Sequence, residues 1–88
     1  MNEILTILNE ECAEVIQASC KLQRFGLDDK KNLAHLETEI SDLLAMVLIL
    51  YHNGVISEDK VLKGITKKLV KLKKWSDIDN LEDIIKIL

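Results

Sequence analysis

Proline is absent from this 88-residue chain, glycine occurs three times, and Phe25, Tyr51 and Trp75 are its only aromatic residues. Strand-and-turn architectures draw on all three classes, so the scarcity argues against a β-rich domain and for an all-α one. Long apolar runs are missing too. The longest, Leu43 to Tyr51, is nine residues and too short to span a bilayer, so no membrane partner is expected. The N-terminal Met1-Asn2-Glu3 lacks the basic segment that opens a secretory signal. Cysteine is limited to Cys12 and Cys20. On one helix they stand about 12 Å apart along the axis, too far for a disulfide between them. Both read as reduced residues of a cytoplasmic protein. No Cys/His zinc spacing exists, since His35 and His52 lie 17 residues apart. No glycine-rich phosphate loop exists either, which removes kinase-like and GTPase-like readings.

What remains is a balance of 48% hydrophobic and 31% charged residues, too apolar for a disordered chain. No repeat and no Pro, Gly or Ser-rich linker divides it, so residues 1–88 read as one domain. A first helix is predicted from about Glu3 to Arg24, stopped by Gly26, with Lys21 and Arg24 in the last turn where the helix dipole favours cations. A second is predicted from about Leu33 to His52, with Asn32 as N-cap and Gly54 just past its end. Ser57 caps a third, about Glu58 to Lys74, and Asn80 a short fourth, about Leu81 to Ile87. The expected fold is a small helical bundle of three main helices plus a short C-terminal helix. Between Leu43 and Leu50 the second helix is apolar almost all round and needs cover on every side. In so short a chain a second subunit is the expected cover, so completion by oligomerisation is predicted.

The net charge of −3 is unevenly spread: residues 1–56 carry nine acids and four bases, residues 57–76 seven lysines and two acids. Within the first helix, Ile4, Ile7, Val15, Ala18 and Leu22 share one stripe at helical spacing, yet Glu11 falls in its middle and Glu14 near its edge. Within the second, Leu36, Leu43, Met46 and Leu50 share a stripe with Glu39 at its centre and Asp42 alongside. One such pair would be an ordinary solvated face. Two pairs, both on apolar stripes, are costly, because an unpartnered buried carboxylate loses several kcal/mol of solvation or takes up a proton. Four acids drawn together also repel. A divalent cation compensates them, and hard oxygen ligands suit Mg²⁺, or Mn²⁺. His35 lies beside Glu39 on the helical wheel, either lining the site or simply half-buried.

Glu10-Glu11-Cys12-Ala13-Glu14 matches a Glu-Glu-x-x-Glu motif and Glu39-Ile40-Ser41-Asp42 a Glu-x-x-Asp motif, with 24 residues between them. This pairing resembles the signature of the MazG-like all-α nucleotide pyrophosphohydrolases. That superfamily also includes all-α dUTPases, dCTP pyrophosphatases and phosphoribosyl-ATP pyrophosphohydrolase. The stretches Asn32–Glu37 and Lys71–Ser76 look like those of its short single-domain members. The resemblance covers about residues 5–75. It implies Mg²⁺-dependent hydrolysis of a nucleoside triphosphate between the α and β phosphates, by a helical bundle assembled as a dimer or a dimer of dimers. It also implies Glu11, Glu14, Glu39 and Asp42 as metal ligands. Glu10 completes the motif, but lies away from the stripe. It is the weaker catalytic candidate, as a supporting residue or a positioner of the attacking water.

The chemistry agrees with the residues, because phosphoryl transfer needs charge neutralisation and positioning more than covalent steps. Lys68 and Lys71 lie nearest an edge of the third helix's apolar stripe and are the picks for binding substrate phosphates, with Lys21 and Arg24 as rivals; a merely solvated lysine face is the plainer reading. Trp75 either stacks on a base or packs a helix end. Nucleic acid ranks lowest as a partner, since no aromatics interleave the lysines. Two other readings stay open: phosphoribosyl-ATP pyrophosphohydrolase, and a non-catalytic module that binds metal or nucleotide or mediates dimerisation.

Overall fold

A computed structural model of the chain describes residues 1–88 as four helices without strands: α1 (Asn2–Phe25), α2 (Lys30–His52), α3 (Glu58–Trp75) and α4 (Leu81–Ile87). The all-α expectation holds, with 82% of the residues helical. None of the helices is long and apolar enough to cross a membrane. The helices pack as two separate pairs, residues 1–53 and residues 54–88.

In the first pair, α1 ends where Gly26 takes a positive φ of 95° and returns its N–H to the Leu22 carbonyl at 2.8 Å. A side chain would disfavour that backbone, so glycine is the fitting stop. The connection is short, closed by an Asp29 N–H to Gly26 carbonyl bond of 3.1 Å, and so brief a link lays α2 antiparallel beside α1. The α2 start corrects the sequence expectation. Asp29, not Asn32, is the N-cap: its carboxylate accepts the Asn32 N–H at 3.1 Å. Asn32 is therefore the capped residue, one turn inside the helix. The seam between the helices buries Ala18 and Leu22 of α1 toward its loop end and Met46 and Leu50 of α2 toward its far end. Away from it, Leu44 and Leu48 remain exposed on α2 and Ile16 on α1, the uncovered surface expected of α2's apolar run.

In the second pair, the Ser57 hydroxyl caps α3 as predicted, accepting the Lys60 N–H at 3.2 Å. Val61, Leu69 and Leu72 of α3 are half-buried, whereas its Leu62 and Ile65 are exposed. Leu81 of α4 is the buried residue of this pair. Asn80 stands at the N-cap position of α4, but its side chain makes no capping bond. It adopts the left-handed region instead, with φ of 66°, which asparagine tolerates better than most residues. Its contribution to α4 is thus a backbone turn.

Candidate metal centre

Glu11 and Glu14 are three residues apart on α1, and Glu39 and Asp42 three apart on α2. That spacing sets both members of a pair on one helical face. Antiparallel packing then brings the two faces together. One carboxylate oxygen from each of the four lies within 4.8 Å of all the others. Oxygens on opposite sides of one Mg²⁺ stand about 4.2 Å apart, and on one Ca²⁺ about 5 Å. The cluster therefore has the dimensions of a single cation's coordination shell after slight side-chain rotation.

Burial within the cluster is graded. Glu39 is buried, Glu11 half-buried, and Glu14 and Asp42 are exposed. The site thus has a floor and an open side. Glu11 Oε2 and Glu39 Oε2 are both shut off from solvent and have no hydrogen-bond partner. His35 Nε2 approaches Glu39 Oε1 at 3.3 Å, one turn back along α2, so one oxygen of Glu39 is engaged and the other is not. Burial raises the pKa of Glu11, helped by the charges of Glu14, Asp42 and Glu10. The Glu14 carboxyl, with which Glu39 can share a proton, raises the pKa of Glu39 most. Burial adds to that rise, the His35 interaction opposes it, and Asp42 adds repulsion. Both shifts say the same thing: without a cation these carboxylates are destabilised as anions.

The residues picked from the sequence divide by location. The four paired acids converge. Glu10 is exposed and outside the four, acting on Glu11 only as a neighbouring charge. Lys21 lies on α1 two turns beyond Glu14, along a shallow depression that includes Arg24. Lys68, Lys71 and Trp75 are on α3 in the other helix pair, all with exposed side chains. Sequence reasoning did not foresee the Lys73–Glu82 ion pair between α3 and α4. Its partners are nine residues apart, across a helix boundary, where no periodicity links them.

Comparison with curated proteins and with solved structures returns no match. Comparison with protein families matches residues 1–76 to the MazG nucleotide pyrophosphohydrolase domain. That stretch runs through α1, α2 and α3 and contains both acid pairs. An all-α chain whose two acid pairs converge, matched over all but its last twelve residues, belongs to the MazG nucleotide pyrophosphohydrolase family.

Proposed function

We propose that the protein is a divalent-cation-dependent pyrophosphohydrolase. It cleaves a nucleoside or deoxynucleoside triphosphate between the α and β phosphates, releasing the monophosphate and pyrophosphate, and serves nucleotide-pool house-cleaning in the cytoplasm. The observation that carries this reading is the pair of buried, unpartnered oxygens, Glu11 Oε2 and Glu39 Oε2, within a cluster of four acids. Interiors rarely leave such atoms unsatisfied, and the acids provide no proton donor of their own when ionised. An all-oxygen donor set fits Mg²⁺, with Mn²⁺ the substitute.

Glu11, Glu14, Glu39 and Asp42 would hold the cation. Bound there, it supplies neutralising charge to phosphate oxygens and makes a bound water more acidic. The chain's own groups do the rest. Glu39 is held by His35 on one side, which fixes its orientation. Glu14 and Asp42, on the open side, face the approaching substrate. Glu10 stands just outside the cluster, where it would orient the attacking water or take its proton. Lys21 would meet the phosphate tail from α1. Lys68 and Lys71 are the α3 candidates for the same charge, and Trp75 offers an exposed indole for a base to stack on. The active species is a homodimer or a dimer of dimers.

The test is a panel of NTPs and dNTPs, with phosphoribosyl-ATP included, incubated with and without Mg²⁺ and resolved by ion-exchange chromatography. The expected products are monophosphate and pyrophosphate, formed only with the cation and lost in Glu39→Gln. Metal binding without turnover on any substrate would move the assignment to a non-catalytic binding module.

A further inference from the structure

Five lysines of α3 stand in one row. Lys60, Lys63, Lys67, Lys71 and Lys74 follow one another at three or four residues, the spacing of a single helical face. All five are exposed. The row is about 21 Å long, in steps of about 4.5 to 6 Å. On the opposite side of the helix lie Val61, Leu69 and Leu72, half-buried in the α3–α4 pair. A lone exposed lysine is ordinary. This row is not, because its neighbours repel one another and little within the helix answers them. Both acids of α3, Glu58 and Asp59, are in its first turn, and residues 60–75 contain none. Within the row only Lys63 has an ion-pair partner, Asp59 at 3.1 Å, and those side chains are 78% and 74% exposed. The chain as a whole has a net charge of −3, yet seven of its twelve lysines and arginines are in this one helix.

We propose that this row binds the phosphate backbone of a single-stranded nucleic acid, without regard to base sequence. Regularly spaced cations suit a regularly spaced anion, and the row is too long for one triphosphate to reach along it. Lysine supplies a point charge to each phosphate, with no planar fork to read a base edge. The residues that do read base edges, arginine, asparagine and glutamine, are absent from α3. The row needs neither the cation nor turnover, so it stands apart from the catalytic reading.

Trp75 selects the single strand. It lies one helical turn beyond Lys71, at the end of the row, and is 78% exposed. A base within a duplex is already stacked on its neighbours, whereas an unpaired base is free to lie on the indole. Aromatics interleaved with the lysines, which α3 lacks, would stack base after base; a backbone is held by charge, with one indole to hold its end. A lipid surface fits less well. A helix lying in a membrane interface inserts its apolar side, and in α3 that side already has Val61, Leu69 and Leu72 half-buried within the helix pair.

Titration of the chain with single-stranded oligothymidylate in EDTA tests this. Trp75 is the only tryptophan, so its fluorescence reports stacking directly and should be quenched. The logarithm of the binding constant should fall against the logarithm of salt concentration with a slope of about −3.5, five phosphates at about 0.7 each. Replacing three of the five together, Lys60→Gln, Lys63→Gln and Lys67→Gln, should bring the slope to about −1.4 while the helical circular dichroism and Mg²⁺-dependent turnover stay as in the wild type. Inorganic polyphosphate should compete without quenching. An unchanged slope in the triple variant would overturn the row as the binding surface. Equal affinity for a duplex, or binding without quenching, would overturn the single-strand assignment. Tighter binding to phosphatidylglycerol vesicles than to the oligonucleotide would overturn the choice of nucleic acid. No binding at about 50 mM salt, where phosphate contacts are strong, would overturn the proposal whole. Oligonucleotide binding by a chain that hydrolyses no nucleotide would sustain this proposal and count against the catalytic reading alone; turnover without binding would do the reverse.

Discussion

The two helix pairs handle charge in opposite ways. In α3 and α4 the seven lysines of residues 57–76 keep exposed side chains, and no residue of α3 is buried. Those of its charges that meet a partner do so at the surface, as Asp59–Lys63 and Lys73–Glu82. In α1 and α2, four carboxylates stand at the apolar seam, and His35 alone approaches any of them with a donor nitrogen. A surface charge needs no explanation, because water solvates it at little cost. A carboxylate set against the burial gradient works against folding, so its presence points to a ligand the chain itself does not contain. The lysine-rich segment catches the eye in the sequence, yet the informative charges are Glu11 and Glu39, drawn into the seam beside the exposed Glu14 and Asp42.

The largest effect follows from that contrast. Glu39→Gln or Glu14→Gln should lower Mg²⁺-dependent turnover by more than about 100-fold, the upper range for residues that merely support a metal ligand. Lys73→Ala, a charge change in the other pair, should leave turnover near wild type. Steady-state assays of the three variants under one condition decide it. Equal losses in all would erase the distinction between the pairs.

Stability without metal sharpens the comparison. Glu11 and Glu39 have raised pKa values in the folded chain. Between the ordinary glutamate value and the raised one, the folded state binds more protons than the unfolded state, so stability falls as pH rises through that window. In EDTA the melting midpoint should therefore climb as pH is lowered from neutral toward the ordinary glutamate range. Glu39→Gln should flatten this slope and raise the metal-free midpoint at neutral pH. Saturating Mg²⁺ should stabilise the wild type by about 2.7 kcal/mol at a hundredfold excess over its Kd, and the Gln variant much less. Calorimetric scans across pH, with and without Mg²⁺, measure all three.

Much of this was legible in the residues, and the exceptions have physical reasons. The acids at three-residue spacing on apolar stripes announced themselves because helical periodicity is local. Their meeting was expected from the two pairs together, but its register depends on how α1 and α2 align after a turn of four residues, which spacing within either helix does not encode. The start of α2 was misjudged because Lys30 and Lys31 carry no apolar signal, so the helix looked as if it began with Leu33, where Asn32 would be a natural cap. Asn80 was located correctly but given the wrong role, since asparagine serves equally as a cap acceptor and as a left-handed turn residue. The division after Asn53 left no compositional mark, because a tight turn at Gly54, with φ of 69°, does what a linker would otherwise do.

The helix caps test whether the two pairs fold with similar economy of local signals. Asp29→Ala removes the acceptor for the Asn32 N–H, and Ser57→Ala the acceptor for the Lys60 N–H. Each should cost about 1 kcal/mol, as cap deletions commonly do. Denaturant melts would show the midpoint move with an unchanged slope. If only Asp29→Ala were destabilising, the α3 start would owe its order to packing instead of to its cap.

The smallest effect belongs to the ion pair of the second helix pair. The Lys73 ammonium beside Glu82 holds that carboxylate below its ordinary pKa, with a lesser contribution from Lys86. A lowered carboxylate pKa contributes stability above the unfolded-state value and loses it as pH falls through the folded-state value. This slope is opposite in sign to that of Glu11 and Glu39. Both side chains are about half exposed, 45% for Lys73 and 56% for Glu82, so solvent and salt screen most of the attraction. Glu82→Gln should therefore lower the melting midpoint only slightly at neutral pH and low salt. The difference from wild type should vanish in about 1 M salt, where the screening length falls to roughly 3 Å, and it should vanish again on acidification. A salt-independent loss would instead mean that the aliphatic stems of Lys73 and Glu82 pack α4 onto α3 and that their charges are incidental.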